Sequence, residues 1–396
     1  MALPVSVPYA FANATTTQNL SYLDSNFNAL ANGLNGLANG ASQISVTSIS
    51  ATGTANSNTY LRGDGAWATV SGGGTDVTYS NVTVTQNLVP PSSFLRNRII
   101  NGAMQINQRG YTSGSPLSTS GNYCVDRFYV SSVTTGGFAA YGYATGPTGF
   151  TNSLVYLRGT GASPSSSDAN YISQTIEGYN ISDLAWGTAN AKTVTLSFWV
   201  YAGATGTFSG SIRNGAATFY AYPFTYTIAA ANTWTQITVT ISGPTVGTWA
   251  TDNTAGLIVF FDIGSGSTFR GTAGSWVSGN YVGATGATTY PTSTTSGTFY
   301  LTGVQLEVGS VATPFERRLY GTELMLCQRY YEFGGSTYNA NLYTSIYYKV
   351  TKRAVPTVTT APSGGVYNNA PSSDTTYFIA NYSVASGSAW TASSEL

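Results

Sequence analysis

Beyond residue 75 the chain repeatedly alternates apolar and polar positions, which is the pattern of half-buried β-strands. The clearest run is Thr193 to Tyr201, with Val194, Leu196, Phe198 and Val200 on one face and Thr195, Ser197, Trp199 and Tyr201 on the other. Residues 237–241 alternate in the same way, 257–261 are continuously apolar, and 299–308 form a further strand-like run. Because many short strands separated by turn residues pack as two sheets, the pattern predicts a mainly β fold, an antiparallel β-sandwich of jelly-roll type.

An extended helical period occurs at residues 17–38. Its apolar positions follow one another at intervals of three and four residues: Leu20, Leu23, Phe27, Leu30, Leu34 and Leu37. This spacing predicts a short heptad helix with an apolar seam. Gly33 and Gly36 each weaken such a helix by up to about 1 kcal/mol relative to Ala, so the helix must pack on something. Two interpretations stay open: a short homo-oligomeric coiled coil, or a helix docked on its own or a neighbouring protein.

Composition divides the chain into four predicted segments. They are residues 1–41 with the heptad helix, a Ser/Thr/Gly-rich shaft or linker at 42–95, the jelly roll at 96–320, and a short helix with a β-rich C-terminal tip at 321–396. Within the last segment, residues 322–333 predict a short helix capped by Thr322. The shaft contains Arg62-Gly63-Asp64, and we interpret this tripeptide as a tight turn rather than an adhesion motif.

Charge and composition exclude several classes of function. The chain has 15 basic and 15 acidic residues, and charged residues make up 8% of it. Without a basic excess, binding to nucleic acid or to an anionic membrane surface is not expected. Histidine is absent, which excludes His-based catalysis and His metal ligands. The opening lacks the cationic segment of a secretory leader, so we expect synthesis in a cytoplasm, with Cys124 and Cys327 as buried free thiols rather than a bridge.

Carboxylates are few, and their neighbours favour structural roles. Those in the predicted jelly roll and its exit are Asp126, Asp168, Glu177, Asp183, Asp252, Asp262, Glu307, Glu316, Glu323 and Glu332. Asp126 with Arg127, and Glu316 with Arg317 and Arg318, are expected to form ion pairs that fix strand ends or loops, and Glu307 is expected to pair with an arginine. A glycosidase needs two carboxyl groups across a cleft. We therefore expect no catalytic residues and no enzymatic activity, with a catalytic pair as the alternative.

Aromatic residues carry the candidate binding chemistry. With 29 Tyr and few charges, the surface is built largely from Tyr, Ser, Thr, Asn and Gly, which suits the stacking and hydrogen bonding of sugars. The alternative is that these Tyr residues lie in subunit interfaces. The polar face of residues 193–201 places Trp199 and Tyr201 together, and Arg213 and Asn214 would add donors at the rim if the two strands are adjacent. The competing interpretation is that this face is covered and structural, with the receptor site in the Tyr-rich tip.

Several stretches resemble bacteriophage tail-fibre proteins. The opening LPVSVPYAFANATTTQNLSYLDSNFNAL is similar to the virion-attachment end of such fibres, and TYLRGDGAWA is similar to their shaft repeats. Residues 96–332 resemble the carbohydrate-binding-module-like jelly roll of phage tail proteins, through RNRIINGAMQINQRG, VDRF, TVTLSFWVYA and, most specifically, FYLTGVQLEVGSVATPFERRLYGTELMLCQRYY. RAVPTVTT and the final TASSEL are similar to the closing elements of the family.

The resemblance implies a receptor-binding protein of the virion tail that recognises a host-surface glycan, usually as a homotrimer. The heptad would then be its trimerisation seam, and the N-terminus would attach to other virion tail proteins. The rivals are a purely structural fibre or connector and a polysaccharide depolymerase. Related jelly rolls hold a structural calcium, but residues 101–105 and 299–302 carry no acid at the matching positions. We therefore expect no metal and no cofactor.

Overall fold

The computed structural model describes residues 24–32, 59–61, 67–69, 95–337, 343–361, 374–381 and 387–396. The chain divides into two units, Met1–Leu88 and Val89–Leu396. Of the predicted seam, Leu20, Leu23, Leu34 and Leu37 lie outside the described residues, as do residues 62–66 with the predicted turn. No helix in the described part of the chain is long and apolar enough to span a membrane.

The first unit contains one helix and one hairpin among its described residues. Helix α1 covers residues 24–32, within the predicted heptad. Its two described seam residues are exposed, Phe27 to 61% and Leu30 to 39%. Strands β1 (Thr59–Leu61) and β2 (Trp67–Thr69) pair in antiparallel register.

Two antiparallel sheets form most of the second unit. The first has seven strands in the order β14 (Val277–Ser278), β10 (Tyr220–Ile228), β9 (Gly206–Asn214), β12 (Ala255–Asp262), β7 (Tyr171–Glu177), β4 (Tyr129–Ser131) and β3 (Asn122–Tyr123). The second has five, in the order β11 (Thr235–Ile241), β8 (Val194–Ala202), β16 (Thr298–Val308), β6 (Ser153–Arg158) and β5 (Phe138–Tyr143). The short strands β13 (Arg270–Gly271) and β15 (Gly283–Ala284) pair in parallel. Among the described residues, short 3₁₀ helices cover Gly178–Asn180, Ser182–Leu184 and Ser267–Phe269. The predicted antiparallel β-sandwich is confirmed.

The core lies between the two sheets, and the alternation of strand β8 explains its position. Val194, Leu196, Phe198 and Val200 are all fully buried in one hydrophobic cluster. Phe198 meets Phe261 of the opposite sheet edge to face, with ring centroids 5.0 Å apart. Burying one such side chain stabilises a fold by about 1.5–3 kcal/mol, so the inner face of β8 is fixed strongly. Its other face must therefore point outward.

The C-terminal segment contains helix α2 and two small sheets. Helix α2 covers Tyr320–Gln328 and is preceded by Leu319 at the N-cap position. The predicted helix is confirmed, but the predicted bounds and cap were wrong: Thr322 lies inside the first turn. Residues 331–333 instead belong to strand β17 (Tyr331–Thr337), because their backbone pairs with that of residues 391–393.

Strand β17 (Tyr331–Thr337) pairs with β21 (Gly387–Ser393), which also pairs with β19 (Thr357–Ala361). Strands β18 (Tyr343–Tyr347) and β20 (Tyr377–Asn381) form a separate antiparallel pair. A small second core of Tyr348, Phe378, Trp390 and Ala392 stabilises this part of the chain.

Candidate functional site

The outward face of the five-stranded sheet carries a row of aromatic side chains that is interrupted at Val155. Tyr201 of β8 lies opposite Tyr300 of β16, and Tyr300 lies opposite Val155 of β6. Val155 in turn lies opposite Tyr141 of β5. Trp234 extends the row at its other end, next to the first residue of β11. Tyr143 lies two residues from Tyr141 and therefore on the same face. We call Tyr141, Tyr143, Tyr201, Trp234 and Tyr300 the aromatic strip.

The rings of the aromatic strip contact one another across four strands. Tyr201 lies 4.9 Å from Tyr300 and 5.7 Å from Trp234, measured between ring centroids. Tyr300 also lies 6.2 Å from Tyr143, which lies 6.1 Å from Tyr141. All these distances fall in the range of favourable aromatic pairs. The strip is therefore a pre-formed apolar platform rather than a set of independent side chains.

The polar atoms of the aromatic strip are available to a ligand. Tyr143 is 42% exposed, Tyr201, Trp234 and Tyr300 are half-buried, and Tyr141 is buried. Within the described part of the chain, the hydroxyls and the indole N–H of the strip make no hydrogen bond. These groups are also not sealed from solvent. Burial, followed by the neighbouring phenols, raises the pKa of Tyr300, so its hydroxyl is a neutral donor and acceptor at physiological pH. A partly exposed group of aromatic rings with free hydroxyls is suited to the C–H faces and hydroxyl rims of sugars.

Trp199 shares this outward face but lies in a different, packed group. A Cβ on Gly303 would lie 2.9 Å from Trp199 Cδ1 and 2.8 Å from Phe150 Cζ. Gly303 has a φ of +61° and sits where the β8–β16 register shifts. Because Gly303 has no side chain, both rings fit next to its backbone. Phe150 also packs on Phe315, with ring centroids 5.0 Å apart. Trp199 therefore fills a depression in the sheet, whereas Tyr201 belongs to the strip.

Arg213 and Asn214 do not join Trp199 and Tyr201. They lie on β9, in the seven-stranded sheet, whereas β8 belongs to the five-stranded sheet. The condition that the two strands be adjacent is not met, because the chain crosses from one sheet to the other between them. Asn214 is fully buried, and its amide binds the carbonyls of Thr218 and Thr248. Asn214 is thus a loop anchor.

Sequence reasoning missed Tyr141, Tyr143, Trp234 and Tyr300. Alternation along residues 299–308 does place Tyr300 on the other face of the strand from Phe299 and Leu301, which face the core. The cross-strand register that brings it beside Tyr201 joins segments distant in sequence. That register follows from the packed sandwich and not from a local pattern.

The carboxylates of the second unit are engaged in ion pairs or hydrogen bonds, but not always as expected. Asp126 and Arg127 do not pair with each other. Asp126 accepts hydrogen bonds from Gln108 and lies 3.9 Å from Arg109, whereas Arg127 binds Glu395. Since Arg127 has a positive φ of 72°, the two neighbouring side chains leave the backbone in different directions. The expected mutual ion pair was wrong.

Other predicted ion pairs are present. Glu307 lies 3.6 Å from Arg96 and also accepts hydrogen bonds from Thr313. Glu316 lies 3.6 Å from Arg318, but Arg317 instead donates to the carbonyl of Gly149. None of these carboxylates belongs to the aromatic strip. They fix the ends of strands and the loop that follows β16.

Cys124 and Cys327 are buried free thiols, as predicted. Burial raises the pKa of Cys124 to about 12, so this thiol is not a nucleophile at neutral pH. Among the described residues no group of three His, Cys, Asp or Glu side chains is placed to hold a metal. The Asn101 side-chain N–H₂ donates to the carbonyl oxygens of Ile106 and Asp126, and its Oδ1 accepts a hydrogen bond from the Ile106 N–H.

No family model and no curated protein matches the chain. Among solved structures, a candidate sugar-binding protein from Bacteroides thetaiotaomicron is 12% identical, with a TM-score of 0.33, over 54% of this chain and 100% of that one. The enzymatically active domain of bacteriophage CBA120 tailspike protein 4 is 15% identical, with a TM-score of 0.28, over 54% of this chain and 22% of that one. The family 11 carbohydrate-binding module from Clostridium thermocellum is 14% identical, with a TM-score of 0.24, over 50% and 96%. Matches at these values carry no argument about a ligand.

Proposed function

We propose that this protein binds carbohydrate non-covalently through the aromatic strip. The observation that carries the proposal is the cross-strand row of Tyr201, Tyr300 and Trp234, which is pre-formed, partly exposed and furnished with unpaired hydroxyls. Rigid aromatic side chains supply contact area at a low entropic cost, and their polar tips give orientation. Because no charged side chain belongs to the strip, its preferred ligand is a neutral segment of a glycan.

We further propose that the protein is a tail fibre of a bacteriophage and that the glycan lies on the host surface. The support is the resemblance of the opening, the shaft segment and the long run from Phe299 to Tyr331 to such fibres. Under this proposal the protein is a homotrimer attached to other tail proteins through its N-terminus and has no enzymatic activity. The engagement of the second unit's carboxylates supports the last point.

The experiment is a binding assay of the full chain on purified surface polysaccharides and whole host cells. Tyr201→Ala and Trp234→Ala should each weaken binding about tenfold or more, the loss expected for an aromatic anchor worth more than 1.4 kcal/mol. Tyr179→Ala is the matched control, because Tyr179 is 60% exposed and lies outside the strip. Its binding should equal that of the wild type.

The same samples separate the rival functions. Release of reducing ends from the polysaccharide would identify a depolymerase and overturn the proposed absence of activity. A fibre or connector without a glycan site would bind neither cells nor polysaccharide. Equal losses in the two strip variants and the Tyr179 control would place the binding site elsewhere.

A further inference from the structure

Arg213 lies on the outward face of the seven-stranded sheet, on the opposite side of the sandwich from the aromatic strip. Its guanidinium carbon lies 4.4 Å from the centroid of the Phe219 ring and 5.0 Å from that of Phe260. Tyr171 packs against Phe260 edge to face, with centroids 5.0 Å apart. An arginine is thus held among aromatic rings on a second face of the domain.

Arg213 differs from the other described arginines because its guanidinium makes no hydrogen bond or ion pair with any described residue. The other ten described arginines each donate at least one hydrogen bond to a protein acceptor: Arg96, Arg98, Arg109, Arg127, Arg158, Arg270, Arg317, Arg318, Arg329 and Arg353. These side chains hold loops and strand ends together. The Arg213 guanidinium has no such acceptor among the described residues, and its contacts there are with the rings of Phe219 and Phe260.

The surroundings of Arg213 leave its charge uncompensated. Burial lowers the pKa of Arg213 to about 10, and the phenol of Tyr171 is the titratable group that counteracts this effect. The side chain therefore remains cationic at neutral pH. Nε is buried without a partner, whereas the two terminal nitrogens are not sealed from solvent. A partly desolvated charge without a counter-charge is unfavourable, and an anion that reached the terminal nitrogens would offset that penalty.

We propose that Arg213 binds the anionic group of an acidic sugar residue, a carboxylate or a phosphate ester. Guanidinium is planar and donates two parallel hydrogen bonds to such groups. The partly exposed rings of Phe219 and Tyr171 beside it offer apolar contact to the sugar ring. The choice of a sugar as the carrier rests on the proposed function, but the site uses other residues on another face. The domain would then contact a charged glycan on one side and a neutral glycan segment on the other.

The test titrates the full chain with glucuronic acid, glucose 6-phosphate, glucose and inorganic phosphate, following amide chemical shifts by NMR. The proposal expects one or both acidic sugars to bind, with glucose and inorganic phosphate at least tenfold weaker. Arg213→Gln should abolish this binding, and Arg213→Met, which keeps the alkyl contacts, should do the same. Arg317→Gln is the matched control, because Arg317 also lies over aromatic rings, 4.8 Å from that of Phe150, but has a protein acceptor. It should bind acidic sugars like the wild type.

Several outcomes would overturn the proposal. Equal binding of inorganic phosphate would show a general anion site, and no binding of either acidic sugar would show no site. A change of oligomeric state in both Arg213 variants would show that another copy of the chain supplies the anion. A wild-type chain that binds acidic sugars through Arg213 but binds no neutral glycan would remove the proposed strip function and leave the Arg213 site standing.

Discussion

At the scale of single residues, Glu177 shows how polar groups fix this sandwich. Its carboxylate accepts hydrogen bonds from Arg329 Nε and Nη2, both at 2.8 Å, and from the hydroxyl of Tyr330. Burial by itself raises the pKa of Glu177, but the bonds from Arg329 and Tyr330 outweigh it and hold the pKa below its ordinary value of 4.5. Glu177 thereby joins the end of β7 to the segment that follows α2.

Because of Glu177, the free energy of unfolding should fall as the pH becomes acidic. Because its pKa is lower in the folded than in the unfolded state, its stabilising contribution is complete above about pH 4.5 and is lost as the pH falls further. Glu177→Gln should therefore lower the melting temperature at pH 7, and the gap to the wild type should narrow between pH 5 and pH 3. Calorimetry across this range checks it. A gap that stays constant or widens toward pH 3 would contradict the argument.

The local sequence pattern predicts some residues of the candidate site but not others. The outward orientation of Tyr201 follows from the burial of Val200 and its alternate neighbours. The membership of Tyr300 and Trp234 in the aromatic strip does not follow from this alternation, because it depends on how strands distant in sequence pair. Trp199 was selected by the same pattern as Tyr201, yet Gly303 and Phe150 place it in a packed depression. Its role as a sugar platform stays a prediction.

At the scale of elements, the C-terminal strand β21 is joined to the sandwich by a buried charged cluster. Arg127 is 1% exposed, binds Glu395 and lies over the ring of Tyr330 at 3.4 Å. Arg109 binds Glu395 as well, at 3.0 Å. Burial lowers the pKa of Arg127, but Glu395 outweighs it and raises the pKa overall. This cluster ties residues distant in sequence into one unit.

Glu395→Gln should strongly destabilise the second unit. Removing one partner of a buried ion pair leaves the other charge uncompensated, at about 3–5 kcal/mol. Chemical denaturation with intrinsic fluorescence measures the loss. The control is Asp183→Asn in the Arg98–Asp183 pair, whose carboxylate is 48% exposed and which should lose at most about 1 kcal/mol. Equal losses in the two variants would mean that the cluster does not hold β21 in place.

The elements of the tip were predicted less well than those of the sandwich. In β8, apolar and polar residues alternate over the whole strand, and the apolar face is completely buried. The sequence pattern therefore predicted the packing of this strand correctly. In residues 320–333 the helix ends and a strand begins within a few aromatic and polar residues. The end of α2 is set by the pairing of β17 with β21, which supplies the backbone partners of Tyr331–Thr337. A local pattern contains no information about that pairing.

At the scale of the whole molecule, α1 presents apolar side chains that need a partner. We expect the full chain to be a trimer in solution, with Phe27 and Leu30 in its seam. Phe27→Asp should shift it toward the monomer, because a charge at a seam position opposes helix association. Multi-angle light scattering at micromolar concentration checks both statements. A monomeric wild type, or a variant with unchanged mass, would show that the heptad docks elsewhere.

If a glycan lies along the aromatic strip, as we propose, the structure of a complex will show it there. A crystal of the full chain soaked with an oligosaccharide from a polysaccharide that it binds would show the sugar rings. We expect sugar rings stacked on Tyr201 and Trp234, with hydrogen bonds to the hydroxyls of Tyr143 or Tyr300. An oligosaccharide bound only in the C-terminal tip, with the strip empty or covered by another subunit, would contradict it.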